Sequence, residues 1–353
     1  MKIAIIRVSA LGDIIVSASF LHAFKEAIIS KLGSEEKCEI EWFVDERFSG
    51  VLEDSPSITK LHILPFKKLF KSLGGILAIR RYCKNCGSFD YVIDAQGLIK
   101  SSLIGKFLNK KHFIGFDKDS IREALASLFY NKKVHVPYQE NVLVRSKAIF
   151  FNPFNIDIDM NKALKRRQDS FGFDETRAKV ALKDFSLDDK KEFKVLFILE
   201  TSKDLKTYPV QSFLNLAKLL SSLANIRIFL IWYDDEIKAK KLSKDLKEAK
   251  VNSSLLPKLD LNAIKYLVSK MECVIGGDTG VTHLAWALNR PSITLFGNVE
   301  SGLGGNNLSK TPLSRFLLSG EKNLYVCNKS KVFDVESITP NEVFETFKQI
   351  YLT

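Results

Sequence analysis

Cys273-Val-Ile-Gly-Gly-Asp-Thr-Gly-Val-Thr-His-Leu-Ala-Trp-Ala-Leu-Asn-Arg-Pro-Ser-Ile-Thr-Leu-Phe296 is the stretch on which the fold turns. The apolar run 273–275 predicts a short buried strand, Gly276-Gly277 a turn, the residues after them a helix, and Ser292–Phe296 a second strand. Asp278 and Thr279 stand where a helix N-cap belongs, and Pro291 marks the helix end. Glycines 276, 277 and 280 let a backbone approach a ligand closely. The unpaired N–H groups of residues 280–282, with the positive end of the helix dipole behind them, then make a phosphate site at the carboxyl end of a strand. An ordinary strand-to-helix turn needs a cap but not this density of glycine.

Working outward, 353 residues are too many for one core, so about two domains are expected. A 46% apolar and 27% charged composition is that of a globular protein, and no apolar run reaches the length of a membrane span. The chain starts on a strand, and Asp13 interrupts any signal-peptide core. Five scattered cysteines point to a reducing cytosol rather than a disulfide framework. Cys83-x-x-Cys86 has neither a thioredoxin context nor a second pair for zinc, and reads as structural.

The net charge of +12 is uneven, with +8 of it in residues 1–172. Between Lys60 and Lys111 stand eleven Lys/Arg against Asp90 and Asp94. Such a surface suits nucleic acid, an anionic membrane or a phosphorylated substrate. No nucleic-acid motif is present and no aromatics interleave with the basic residues, which disfavours nucleic acid. The stretch 63–82 reads as a basic amphipathic helix able to pack on a sheet or lie on a membrane surface.

In order along the chain, strand 3–8 leads through a loop carrying Asp13 into a helix at 14–28. The dinucleotide fingerprint G-x-G-x-x-G is absent there, so a nucleotide cofactor is not expected. Asp13, at the carboxyl end of the first strand, is either a helix cap or a catalytic carboxylate. Further strands and helices alternate to about residue 151, followed by a polar stretch at 157–179 that reads as an interdomain linker. A second βα series begins near Lys194, passes a Gly-rich segment expected to be mobile at 301–307, and ends in a helix at 340–352. The fold class is therefore α/β, with two Rossmann-like domains facing a central cleft. The N-terminal one spans 1–172 and the C-terminal one 173–337, with the helix at 338–353 packing back on the first.

Five pieces now carry a resemblance: R-V-S-A-L-G-D at 7–13, D-A-Q-G-L-I-K at 94–100, R-E-A-L-A-S-L-F-Y-N at 122–131, T-S-K-D-L-K-T-Y-P at 201–209 and G-D-T-G-V-T-H-L-A at 277–285. Spread over nearly the whole chain, they resemble the bacterial lipopolysaccharide heptosyltransferases of glycosyltransferase family 9, which have the GT-B fold. The second and third pieces look most like the branch that adds the first heptose, from ADP-L-glycero-β-D-manno-heptose to Kdo of Kdo-lipid A. Ser202 and Tyr208 depart from the usual threonine and tryptophan but keep their chemistry, and Cys83-x-x-Cys86 has no place in the pattern.

The resemblance implies an inverting, metal-independent transfer without cofactor. It makes Asp13 the general base and Lys206 the phosphate lysine. To the donor it assigns Thr201, Ser202, Lys206, Glu236, Leu259, Asp278, Thr279, Gly280 and His283. To the acceptor it assigns Asp13, Gln96, Lys100, Arg122 and Arg145. Locally His283 reads as a packed histidine; only the resemblance moves it to the donor. The implied location is cytoplasmic and peripheral, on the inner face of the inner membrane. The rival readings are a heptosyltransferase acting on a later core sugar, and a nucleotide-sugar-binding protein without activity.

Overall fold

A computed structural model describes residues 1–33, 38–297, 313–318, 320, 322–328 and 334–352. The expected Gly-rich segment 301–307 lies outside the described residues. The chain divides into two compact units, Met1–Gly172 and Phe173–Thr353.

The strands of the first unit are β1 (Lys2–Ile6), β2 (Glu39–Asp45), β3 (Lys60–Leu64), β4 (Ser88–Asp94), β5 (Asn109–Phe116) and β6 (Lys132–Val134). They form one parallel sheet in the order β3-β2-β1-β4-β5-β6. The second unit repeats this with β7 (Phe193–Ile198), β8 (Ile226–Ile231), β9 (Ser253–Leu255), β10 (Cys273–Gly277), β11 (Ser292–Phe296) and β12 (Asn323–Cys327), in the order β12-β11-β10-β7-β8-β9. Read from the first strand of each unit, both orders are the doubly wound 3-2-1-4-5-6 arrangement. Each sheet reverses direction once, between β1 and β4 in one and between β7 and β10 in the other. In such sheets ligands bind outside the carboxyl ends of the strands at that reversal.

Helices of the first unit are α1 (Leu11–Ala18), α2 (Leu21–Leu32), α3 (Phe66–Leu69), α4 (Leu73–Lys84), α5 (Ile99–Phe107), α6 (Val142–Phe151) and α7 (Met160–Leu164). The second unit has α8 (Glu175–Ala181), α9 (Val210–Leu220), α10 (Glu236–Glu248), α11 (Leu261–Ser269), α12 (Gly280–Ala287) and α13 (Pro340–Tyr351). The central strands are buried on both faces, as crossover helices require: Ile3 to Ile6 and Cys273 to Ile275 are wholly inaccessible.

Four expectations need correction. The helix expected at 14–28 is two helices. The Ser19 hydroxyl donates to the Ile15 carbonyl at 2.8 Å and competes with the helix ladder there. Asp13 thereby lies inside the first turn of α1 and not in the loop before it. The basic stretch 63–82 is likewise broken into the end of β3, α3 and α4. The Ser72 hydroxyl caps α4 by accepting from the Gly75 N–H at 3.1 Å. At Gly75 a Cβ would lie 2.1 Å from the Leu69 carbonyl oxygen, so only glycine permits this tight change of direction.

The polar stretch 157–179 is structured. α7 and the 3-10 turn Arg167–Ser170 pack on α2, and Ala163, Leu164, Ser170 and Phe171 are buried. Finally, α13, expected to pack on the first domain, packs on α9 within the second unit. Its stripe Val343, Phe347 and Ile350 enters that unit's core, where Phe193 meets Phe347 at 5.6 Å and Tyr351 at 5.1 Å between ring centroids. The Tyr208 hydroxyl, donating to the Ile338 carbonyl at 2.9 Å, ties the approach to α13 to the same core.

Candidate functional site

In the first unit the reversal between β1 and β4 gathers the loop 7–10, the first turn of α1 and the loop 95–98. Asp13 is half exposed, and its Oδ2 meets the Arg7 guanidinium at 2.8 Å. Arg7 also donates to the Ala95 carbonyl at 2.5 Å, and its own carbonyl accepts from the Trp42 indole at 3.1 Å. Gln96 fastens the same two loops from the other side: its side-chain oxygen accepts the Val8 N–H at 2.8 Å. Arg7 and Gln96 thus hold Asp13 on a frame made of two strand ends. Spacing in sequence gave no hint of the Arg7 pairing, since the path of the loop 7–10 into α1 decides whether the two side chains meet.

Below this frame lies Asp94, fully buried at the end of β4. It accepts from Gln96 N–H, Gly97 N–H, the Ser101 hydroxyl and the Tyr130 hydroxyl, all within 3.0 Å. Burial pushes the Asp94 carboxyl above its ordinary range despite these donors, and burial likewise raises the Tyr130 phenol. Gly97, at φ +71°, turns its N–H toward Asp94 in a conformation that favours glycine. This network fixes the loop that presents Gln96.

Three basic residues were expected at the acceptor. Lys100, on the first turn of α5, lies exposed with its ammonium 5.7 Å from the Phe70 ring. Arg122 is exposed, 3.9 Å from Glu123. Arg145 does not join them. It is 8% exposed, and its guanidinium donates to the carbonyls of Val136, Pro137 and Ser120 at 3.1, 2.9 and 2.7 Å while stacking 4.7 Å from Phe116. A cation so committed secures the chain between β5 and α6.

In the second unit the reversal between β7 and β10 gathers the loop 199–209 and the N-terminus of α12. Thr279 is the N-cap, with extended backbone, and the Thr282 hydroxyl donates to its carbonyl at 2.7 Å. The first-turn N–H groups of α12 have no carbonyl behind them within the helix. Lys206 Nζ meets Asp278 Oδ2 at 2.5 Å, and His283 Nε2 meets Asp278 Oδ1 at 3.1 Å. Burial alone would raise the Asp278 carboxyl. The His283 hydrogen bond and the Lys206 charge outweigh it and hold the group far below the usual carboxylate range. The structure therefore brings Lys206, Asp278, Thr279, Gly280 and His283 together, with a lysine, a carboxylate and a helix N-terminus meeting at one sheet reversal.

The glycines work differently from the expectation: Gly276 and Gly277 are not a turn but the last two residues of β10, paired with Thr294 and Leu295. A Cβ on Gly276 would lie 2.8 Å from Ile198, and one on Gly277 would lie 2.3 Å from the Lys206 carbonyl oxygen. The space beside these two is filled by protein, so they seat the Lys206 loop rather than admit a ligand. Gly277→Ala should displace that loop; we expect turnover to fall on the order of tenfold with global unfolding shifted only a few degrees, as overpacking at one backbone contact predicts. Unchanged kinetics in Gly277→Ala would show the loop position to be immaterial.

Of the remaining donor candidates, Thr201 lies beside Gly277, and the others are on the connections that follow β7, β8 and β9. The Thr201 hydroxyl is engaged within its own loop, donating to the Lys203 carbonyl at 2.6 Å, while Ser202 is exposed. Glu236 opens α10, exposed and paired with Lys240 at 3.0 Å. Leu259 is half-buried between β9 and α11. Glu200 had no expected role. Its carboxylate accepts the N–H groups of Tyr233, Asp234 and Asp235 at 2.9–3.1 Å, which orders the loop that presents Glu236. Among the described residues no group of three or more His, Cys, Asp or Glu is placed to hold a metal ion. Cys83 is buried in α4 and burial pushes its thiol up to about 12, which leaves it unreactive.

Comparison with known proteins adds to this geometry. Residues 76–311 match the family described as glycosyltransferase family 9 (heptosyltransferase). The chain is 36% identical to lipopolysaccharide heptosyltransferase 1 of Campylobacter coli, over 99% of both chains. It is 29% identical to lipopolysaccharide heptosyltransferase 1 of Escherichia coli K12, over 86% of this chain and 90% of that one. Among solved structures it resembles E. coli heptosyltransferase WaaC with ADP-2-deoxy-2-fluoro heptose, at a TM-score of 0.75 and 23% identity over 99% of both chains. It also resembles E. coli ADP-heptose LPS heptosyltransferase II, at 0.70 and 17% over 100% and 99%. At those identities the structural likenesses speak for the fold, which is GT-B.

Proposed function

The chain belongs to glycosyltransferase family 9, and from that premise we propose that it moves L-glycero-D-manno-heptose from ADP-heptose to Kdo of Kdo-lipid A. The observation that carries the reading is the cluster of Lys206, Asp278 and His283 at the N-terminus of α12, on a strand reversal. A lysine beside unpaired helix N–H groups is what a departing diphosphate requires. Full-length identity to proteins named for this activity supports the sugar and the acceptor.

In the proposed reaction Asp13 takes the proton of the acceptor hydroxyl as its oxygen bonds to the anomeric carbon of heptose. The bond from that carbon to the β-phosphate oxygen breaks on the opposite face, and ADP leaves with the electron pair. Attack opposite the leaving group inverts the anomeric centre, as with an inverting glycosidase base. Lys206 and the N–H group of Gly280 receive the charge on the leaving diphosphate, while the Thr279 N–H, expected there too, is held by the Thr282 hydroxyl at 3.2 Å. Asp278 and His283 face the heptose hydroxyls, while Thr201 and Ser202 contact the phosphates. Glu236 accepts the ribose hydroxyls and Leu259 packs by the nucleotide. Gln96, Lys100 and Arg122 hold the carboxylate- and phosphate-bearing acceptor. Because that acceptor is a lipid, we place the enzyme peripherally on an anionic, cytoplasm-facing membrane. The lysine-rich run from 60 to 111 supports this placement.

The test is to incubate the protein with ADP-heptose and Kdo-lipid A and measure products by mass. The expected result is ADP and a lipid heavier by one heptose. Transfer only to an already heptosylated core would redirect the reading to a later core sugar, and binding of ADP-heptose without turnover would make it a binding protein. Lys206 and α12 supply the positive charge a cation would otherwise bring, so turnover is expected to survive EDTA. An absolute requirement for added magnesium or manganese would overturn that assignment.

A further inference from the structure

We propose that the helical layer formed by α3, α4, α5 and the 3-10 helix Ala124–Phe129 inserts into a lipid bilayer, with Leu73, Leu77, Leu125 and Leu128 entering the interface. It rests on the reading that the acceptor is a membrane lipid and adds an apolar contact to it.

These elements share one face of the first sheet. The steps from β3 to β4, β4 to β5 and β5 to β6 all run the same way across the strand order, and right-handed crossovers then put their connections on one side. α1 and α2 join strands in the opposite direction and cover the other side. Contacts agree: α3 meets α4, α4 meets α5, and α5 meets the 3-10 helix. The Ile99 N–H donates to Glu123 at 2.8 Å, and Lys106 sits 4.7 Å from the Phe129 ring.

On this layer Leu73 is 81% exposed, Leu77 58%, Leu125 64% and Leu128 74%, the four most exposed large apolar side chains among the described residues of the first unit. Leu73 and Leu77 are one turn apart on α4, and Leu125 and Leu128 eclipse one another at the three-residue period of a 3-10 helix. A single exposed leucine needs no explanation, but two such pairs on one layer do. Around them stand Lys67, Lys71, Arg80, Arg81, Lys84, Lys100, Lys106 and Arg122, all exposed. Between 60 and 111 the acids give no counterweight, since Asp90 pairs with Lys111 at 2.7 Å and Asp94 is buried. Exposed leucines in a field of lysine match an interfacial membrane surface. A protein interface would favour aromatics and arginine and exclude lysine from its centre.

Salt separates the two contributions, because headgroup attraction is screened and apolar insertion is not. The full-length protein is floated with vesicles of phosphatidylglycerol and phosphatidylethanolamine at low and high salt. The wild type should bind at both, more strongly at low salt. L73Q/L77Q/L125Q/L128Q should lose the salt-resistant binding, with partition down on the order of 100-fold. Lys67→Gln/Lys68→Gln/Lys71→Gln should lose the low-salt excess and keep the salt-resistant part. Leu77→Trp, at a side chain that is 58% exposed, should add an emission over that of Trp42, Trp232 and Trp286 which shifts to the blue on adding vesicles, read as the difference from the wild type. Equal vesicle binding by the wild type and the leucine variant would overturn insertion, as would an unshifted reporter. So would a leucine-dependent dimer that ignores vesicles. Turnover of a deacylated, soluble acceptor should be the same in wild type and leucine variant. Failure of the wild type on that acceptor would count against the transfer reading and leave the vesicle result standing.

Discussion

Asp13→Asn should lower kcat on the order of 100-fold or more while leaving donor binding nearly unchanged. Asparagine keeps the shape and can still hydrogen-bond to Arg7, so the frame that holds residue 13 stays in place: Arg7 keeps its bond to Ala95, and Gln96 keeps Val8. Only the proton acceptor is removed. The geometry sharpens this expectation, because one carboxylate oxygen of Asp13 is taken by Arg7 at 2.8 Å and the residue is half exposed, leaving the other oxygen to meet an incoming hydroxyl. Single-turnover rates with the donor saturating, beside ADP-heptose affinity measured by calorimetry, separate chemistry from binding. A variant that turns over at near-normal rate would remove Asp13 from the role of base and leave it a helix-turn carboxylate.

How much of this was legible beforehand follows from how local each feature is. The runs that became β10 and β11 are mostly apolar and bounded by glycine and proline, so their signal survives without tertiary context. The two-unit α/β class follows from repeated alternation of such runs. β3 and β9 were not legible. Lys60–Leu64 mixes lysine and histidine into a strand beside β2, and Ser253–Leu255 is three residues of edge. Their strand state is set by the neighbour they pair with, since strand preference is mostly a matter of context.

At the sites, the local pattern marked the α12 N-cap and left Asp13 either a cap or a catalytic carboxylate, each beside a strand end, while Lys206 was pointed to only by the family resemblance. Spacing could not tell that Arg145 is folded inward onto three carbonyls while Arg122 stays exposed, since both are simply arginines after β5. Nor could it show that Gly277 makes room for the Lys206 carbonyl, a contact between distant parts of the chain. The helix 338–353 was misplaced for the same reason: its apolar stripe is plain in sequence, but which core receives it is a tertiary fact.

Lys206→Met should lower kcat on the order of 100- to 1,000-fold, the loss seen when a preorganised group facing developing negative charge is removed. Methionine preserves most of the aliphatic stem and removes the charge. The substitution has a second consequence, because Asp278 would lose a partner at 2.5 Å and keep only His283 at 3.1 Å. Both Lys206 and Asp278 are largely shielded from solvent, and a shielded carboxylate stripped of its cation destabilises the fold. A drop in turnover by itself would therefore be ambiguous.

The double variant Lys206→Met/Asp278→Asn resolves it. Removing the stranded charge should restore most of the thermal stability, because the two residues are in direct contact and their effects are coupled rather than additive. Turnover should stay low, since the N–H groups of α12 are then left without a cation to receive the charge on the departing ADP. Asp278→Asn alone keeps the lysine and should lose mainly donor affinity. If stability and turnover recovered together in the double variant, Lys206 would act only by neutralising Asp278, and the stabilisation of the leaving group would rest on the N–H groups of α12.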